Sequence, residues 1–157
     1  MIQRVQTIFL FLIAVGMGVC LFSTSWQKIG QSGDKAVLTA FNLEFQKAGA
    51  VVSTTPTFYI AILAVLAAGV ALYSIFQYRN RLLQIKLGAL NSLVMAGLLG
   101  CMMYFSTQVG EKLLNAATQG KYDVGIYAVI LALVCNMVAN RFIRRDEQLV
   151  RSADRMR

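Results

Sequence analysis

The chain has no histidine, a single proline and three cysteines among its 157 residues. The missing histidine removes the side chain that most often works as general acid or base near neutral pH and as a zinc ligand. No Cys-x-x-Cys pair is present, so dithiol redox chemistry and cysteine metal sites lack their usual framework. Charge is scarce too: Asp, Glu, Lys and Arg supply 14% of the chain against about 25% in soluble domains, and hydrophobic residues supply 57% against roughly 45–50%. So few charges, bunched as they are, cannot cover the surface of a soluble domain of this length. The apolar residues are expected to face lipid. The same absences say more about architecture than about chemistry.

Stretches without any charge run over residues 5–27, 48–78, 87–110 and 124–140. A hydrocarbon layer of ~30 Å is crossed by about 20 residues at about 1.5 Å each. The chain is therefore expected to be an all-α membrane protein with four transmembrane helices, at about residues 5–25, 57–78, 87–108 and 124–143. The last stretch is short and reaches 143 only if Arg141 extends its guanidinium to the interface. A helical core in water would need polar stripes, and Ile8 to Phe22 and Phe58 to Tyr73 are apolar or glycine throughout. The first segment also resembles a secretory signal, and Met17-Gly18-Val19-Cys20 a lipoprotein cleavage site. Val19 stands where a small residue is wanted, so the segment is read as an uncleaved span.

Basic residues set the orientation. Arg4, Arg79, Arg81, Lys86, Arg141, Arg144, Arg145, Arg151, Arg155 and Arg157 fall on one side, and Lys28, Lys35, Lys47, Lys112 and Lys121 on the other. Ten against five places both termini in the cytoplasm. The formal charge of +8 is then mostly cytoplasmic and does not by itself imply a nucleic-acid partner, which is not expected.

Between the first two spans, Phe41, Leu43 and Phe45 alternate with Asn42, Glu44 and Gln46, the period of a strand with one covered face. Ser25 to Gly30 would pair with it through a turn at Gln31-Ser32-Gly33-Asp34. This predicts a small extracytoplasmic β-hairpin at about residues 25–47, lying on the outer helix ends with Trp26 at headgroup level. The alternative is an irregular loop with one interfacial Trp. Residues 107–123 place Val109 and Leu113 one turn apart and end in Thr118-Gln119-Gly120, which reads as a helical extension of the third span stopped by Gly120. Glu111 and Lys112 are adjacent, do not share a helix face, and are expected to be solvated.

After Gly125 no glycine or proline interrupts the chain, so the fourth span is expected to continue into a cytoplasmic helical tail, residues 144–157. Glu147 precedes Arg151 by four residues, a favourable helical spacing, and Leu149, Ala153 and Met156 form a thin apolar stripe. Arg141, Arg144, Arg145, Arg151 and Arg155 are the candidates for contact with anionic lipid or a partner.

No carboxylate, Lys or Arg stands at mid-membrane, which weakens any proton-coupled carrier. The polar groups inside the spans are Gln6, Thr7, Asn91, Ser92, Asn136 and Asn140, all in the inner half. Asn136 and Asn140 share a helix face and are expected to meet Asn91. That interhelical cluster of Asn91, Asn136 and Asn140 either lines a polar cavity or bonds the helices together at about 0.6 kcal/mol per bond. Ala64 with Ala68, and Ala96 with Gly100, offer small-xxx-small spacings for close helix approach. Cys20, Cys101 and Cys135 fall inside spans and are expected to be reduced packing residues. No nucleophile–base pair, phosphate-binding loop or metal-ligand spacing is present, so an enzyme, a cofactor and a metal are not expected.

The ends of the chain are distinctive. Met1-Ile2-Gln3-Arg4-Val5-Gln6-Thr7 leads straight into the first span, and Asn140-Arg141 precedes Arg145-Asp146-Glu147-Gln148-Leu149-Val150-Arg151-Ser152-Ala153-Asp154-Arg155-Met156-Arg157. These motifs, with length and span count, resemble the four-span membrane family of Bacteroidota known as domain of unknown function 4293. The resemblance implies an inner-membrane location in a diderm bacterium and assigns no site residue. The first functional expectation is a small accessory or scaffold protein that binds a partner through its cytoplasmic tail or outer hairpin. The alternative is a small transporter or channel with a polar inner cavity, acting as an oligomer. Last comes an enzyme acting on lipids, for which only Glu111 and Asp123 are suitably placed carboxylates.

Overall fold

A computed structural model of the chain describes residues 2–30, 33–47, 49–77, 80–114 and 119–155. Helix α1 spans Ile2–Phe22, strands β1 to β4 follow at Trp26–Ile29, Lys35–Leu38, Asn42–Lys47 and Ala50–Pro56, and α2 spans Phe58–Phe76. Helix α3 covers Arg81–Tyr104 and runs into a π-helical turn at Phe105–Gly110 and the short α4, Glu111–Leu113. Strand β5, Lys121–Tyr122, precedes α5, Val124–Arg155. Four helices are long and apolar enough to cross a membrane: Val5–Phe22, Phe58–Phe76, Arg81–Leu113 and Val124–Val150.

Helices α1 and α3 each pack against both α2 and α5, which closes the four into a ring. Large aliphatic and aromatic side chains point outward: Ile8, Phe11, Val65, Leu93 and Leu131 are all more than half exposed. The interior mixes aliphatic side chains such as Ile13, Met17, Met95 and Leu98 with small and polar ones, Ala64, Ala67, Asn91 and Asn136. In water so apolar an outer surface would be unfavourable by about 25 cal/mol for each Å² left outside, whereas hydrocarbon solvates it. Of the expected small-residue spacings, Ala64 is buried in the core with Ala68 packed against it, and Gly16 adds a close approach that the spacing did not suggest. A Cβ on Gly16 would lie 3.3 Å from the Ala128 carbonyl and the Ala132 methyl, so α1 and α5 nearly touch there. Gly100 has open space where its Cβ would be, and Ala96 is exposed. That pair faces away from the helix contacts.

The strands form one antiparallel sheet in the order β4-β3-β2-β1-β5. The expected two-stranded hairpin is corrected here. Trp26 to Ile29 pair with Leu38 to Lys35, and β3 pairs with β2 and β4 instead of β1. Lys35–Leu38 escaped the alternation reading because its inward side chains include only Ala36 and Leu38. β4 escaped because it shows no alternation of burial and because its lack of charge merges it with the apolar stretch of α2. Phe41 precedes β3 and is half exposed, while Leu43 faces inward. Of the expected turn, Gln31 and Ser32 lie outside the described residues; Gly33 adopts φ +81°, which its lack of a Cβ permits.

The sheet lies across one set of helix ends. Trp26, Ala36, Leu38 and Leu43 join the same buried core as Cys20, Ile60, Met102 and Ile126. The amides of Asp123 and Gly125 donate to the carbonyls of Ser25 and Thr24, and Thr57 Oγ1 donates to the Thr39 carbonyl, which fixes the starts of α5 and α2 against the strands. The start of α1 at Ile2 and the end of α5 at Arg155 lie at the opposite ends of the helices. The third helix stops earlier than expected, with Leu114 already extended, so Gly120 is not its terminator. Thr118 lies outside the described residues.

Candidate functional site

Three polar places stand out. The first is beneath the sheet, where Lys28 is 4% exposed. Strand alternation turns its side chain inward, and its ammonium must find acceptors there. It finds three: Glu111 Oε2 at 2.6 Å, the Leu114 carbonyl at 3.0 Å and the Glu111 carbonyl at 3.3 Å. The other carboxylate oxygen of Glu111 accepts from the Gly120 amide at 2.8 Å. Lysine thus serves both as the partner of a carboxylate and as the donor for carbonyls left open where α4 ends. The sequence reading placed Glu111 in solvent because its neighbour Lys112 is on another face. Lys112 does point away and bonds Gln108 at 3.0 Å. No local spacing reveals a partner 83 positions distant.

Trp26 lies beside this pair. Its ring is 2% exposed and is covered by Gly110 and Gly120, at each of which a Cβ would overlap the indole. The ring is enclosed by protein because two glycines open a slot that admits the whole of it. Ser106 and Thr107 both donate to the Met103 carbonyl at 3.0 and 2.7 Å, within the turn that widens to the π form. A cavity of about 370 Å³ opens between Trp26, Thr107, Glu111, Gln119, Gly120 and Tyr122. Glu111 is already engaged by Lys28 and Gly120, so it is not poised as a general base.

The second place is between α3 and α5, in the half of the helices remote from the sheet. Asn136 Nδ2 donates to the Gly88 carbonyl at 2.8 Å and to Ser92 Oγ at 2.7 Å. Asn140 packs onto Gly88, whose missing Cβ makes the room. The α3 partners of Asn136 are therefore Gly88 and Ser92, while both amide atoms of Asn91 are buried without a hydrogen-bond partner. Gln84, Gly88, Asn91 and Met95 form the buried stripe of α3. Gln84, which the sequence reading missed, donates to the Ser74 carbonyl at 2.8 Å and ties α3 to α2. Its position four residues before Gly88 and seven before Asn91 was the available signal. Gln6 Nε2 and Ser74 Oγ are further buried atoms without partners.

The third place is the far end of α5. Arg141, Arg144 and Arg145 are exposed and line a groove of about 660 Å³ with Met137, Asn140 and Gln148. Arg81, in the first turn of α3, pairs with Asp146 at 3.0 Å and donates to its carbonyl at the same distance. Arg151 and Arg155 continue the helix, but their side chains lie outside the described residues, as do Arg79, Met156 and Arg157. Among the described residues no three His, Cys, Asp or Glu side chains are grouped so as to hold a metal. Cys20, Cys101 and Cys135 are free thiols.

No curated protein matches the chain. A family profile matches residues 2–156, almost end to end, and the chain belongs to that family, the domain of unknown function 4293.

Proposed function

We propose that this protein is a small accessory or scaffold protein of the bacterial inner membrane, with four spans and both termini in the cytoplasm, that holds a protein partner through the free end of α5. One observation carries the reading: α5 is an unbroken helix of 32 residues, about a dozen more than a bilayer requires. At 1.5 Å per residue it is ~48 Å long, so that it runs on for nine residues beyond Asp146, which pairs with the first residue of α3. The Arg81–Asp146 pair braces it just where it leaves them. Leu149 and Val150 are exposed beyond that brace. Arg141, Arg144 and Arg145, exposed toward the far end of the fourth span, suit the anionic headgroups of the inner leaflet, each contributing about 1 kcal/mol. In this arrangement they set depth and orientation and leave the distal helix for the partner.

The test is deletion of Leu149 to Arg157 followed by purification in mild detergent through a tag on the sheet. The expected result is loss of a stoichiometric copurifying protein with membrane insertion unchanged. An unchanged set of copurifying molecules would remove the reading. A second reading, an oligomeric transporter or channel with a polar inner cavity, is favoured by the unpaired amide of Asn91 in the α3 core stripe. A solute-uptake or efflux defect in Asn91→Leu without loss of thermal stability would put it first.

A further inference from the structure

Met137, Asn140, Arg141, Arg144, Arg145 and Gln148 recur at three- and four-residue steps, so the groove they line follows one face of α5. Ala139 and Ile143, the buried residues of this stretch, lie on a different face. Among the described residues no carboxylate lines the groove: Asp146 is held by Arg81 on α3, and none of the three groove arginines is in an ion pair with a carboxylate. Like charges within about one turn repel one another. Their counter-charge has to come from outside the described chain.

Two rulers set the depth of these charges. Counted from Val124, the first residue of α5, about 20 residues bring the helix to Arg144, ~30 Å along its axis and so one hydrocarbon thickness away. From the other side, the Arg81–Asp146 pair ties this turn of α5 to the first residue of α3, where the third apolar span begins. Both rulers give headgroup level. Met137, 59% exposed, stands about two turns of helix from Arg144 on the side of the hydrocarbon. The groove therefore runs from apolar surface at acyl-chain depth to guanidinium groups at phosphate depth.

We propose that this groove is a discrete site for a membrane phospholipid with two phosphodiester groups, its phosphates held by Arg141, Arg144 and Arg145 and its acyl chains lying past Met137. A guanidinium grips a phosphate through two parallel N–H donors, so three arginines exceed what one singly charged phosphodiester engages. Two phosphodiesters on a short linker supply two anions, and capture of the second is intramolecular once the first is bound. Basic pockets at the cytoplasmic ends of spans suit such headgroups. An acidic protein segment would match the charge but leave the hydrocarbon end of the groove unused. The inference deepens the reading of these arginines given above: it rests on their inner-leaflet depth and on nothing at the distal end of α5.

Native mass spectrometry of the full chain in detergent provides the test, with cardiolipin as the lipid of two phosphodiesters and phosphatidylglycerol, at matched total charge, as the lipid of one. A single cardiolipin per chain is expected, at a concentration at least tenfold below that needed for phosphatidylglycerol. Arg144→Lys combined with Arg145→Lys keeps the charge but removes the paired donors, and is expected to weaken cardiolipin binding at least fivefold. Lys86→Ala, which removes an exposed cation outside the groove, is expected to change it less than twofold. Equal binding of the two lipids in the wild-type chain, a comparison that needs no variant to fold, would overturn the proposal in favour of diffuse attraction. So would unchanged binding in the double lysine variant, or displacement of the lipid by an equimolar amount of inorganic phosphate, which would mark a site for a free anion. Deletion of Leu149 to Arg157 is expected to keep cardiolipin binding within twofold, so a lost copurifying protein and a lost lipid are separate readouts.

Discussion

Lys28 and Glu111 meet at 2.6 Å between strand β1 and the short helix that follows α3, with Lys28 buried and Glu111 partly open to solvent. The pair joins two connections that are remote in sequence and holds them over the helix ends. The burial is unequal, so its two halves are expected to differ in importance. Glu111→Gln leaves a buried ammonium without its carboxylate and is expected to destabilise by about 3 kcal/mol. Lys28→Met leaves a carboxylate that water can reach and is expected to cost roughly 1–2 kcal/mol, chiefly from carbonyls that lose their donor. Thermal unfolding of both variants in the same detergent checks the order; equal loss would contradict it.

Gly120→Ala is expected to disturb Trp26 directly, because the added methyl overlaps the indole and the Gly120 amide is bound to Glu111. Overpacking of this kind costs typically 1–3 kcal/mol. Trp26 is the one tryptophan of the chain, so its fluorescence reads the site alone. A red shift of emission in the folded variant is expected.

Asn136 and Asn91 are expected to respond in opposite ways to replacement by leucine. Asn136→Leu removes two bonds to α3, with a loss of roughly 1 kcal/mol. Asn91→Leu removes an amide with no partner and is expected to leave stability unchanged or raised. Melting curves in detergent decide, and destabilisation by Asn91→Leu as large as that by Asn136→Leu would mean its amide is paired in the membrane.

Orientation is checked with reporters. A periplasmic enzyme inserted at Gly33, in the turn after β1, is expected to be active, and the same enzyme fused after Arg157 inactive. The reverse pattern would invert the orientation drawn from the ten-to-five distribution of basic residues.

The four apolar helices could be read from the chain because each signal lies within one segment. About 20 residues without charge suffice to cross hydrocarbon, whatever the neighbours do, since the backbone must satisfy its own hydrogen bonds there. The break-free run after Gly125 likewise foretold the long α5. The sheet was only half visible. Leu43 announces β3 by alternation, but β4 is exposed on both faces and carries no periodic mark, and its partners are set by register with β3. The polar sites depended most on the fold. Spacing put Asn136 and Asn140 on one face of α5, yet the depth at which α5 lies beside α3 selected Gly88 and Ser92 as their neighbours. Lys28 and Glu111 each look like ordinary surface charges in their own segments. Only docking of the sheet onto the helix ends removes Lys28 from water, and that desolvation makes Glu111 its necessary partner.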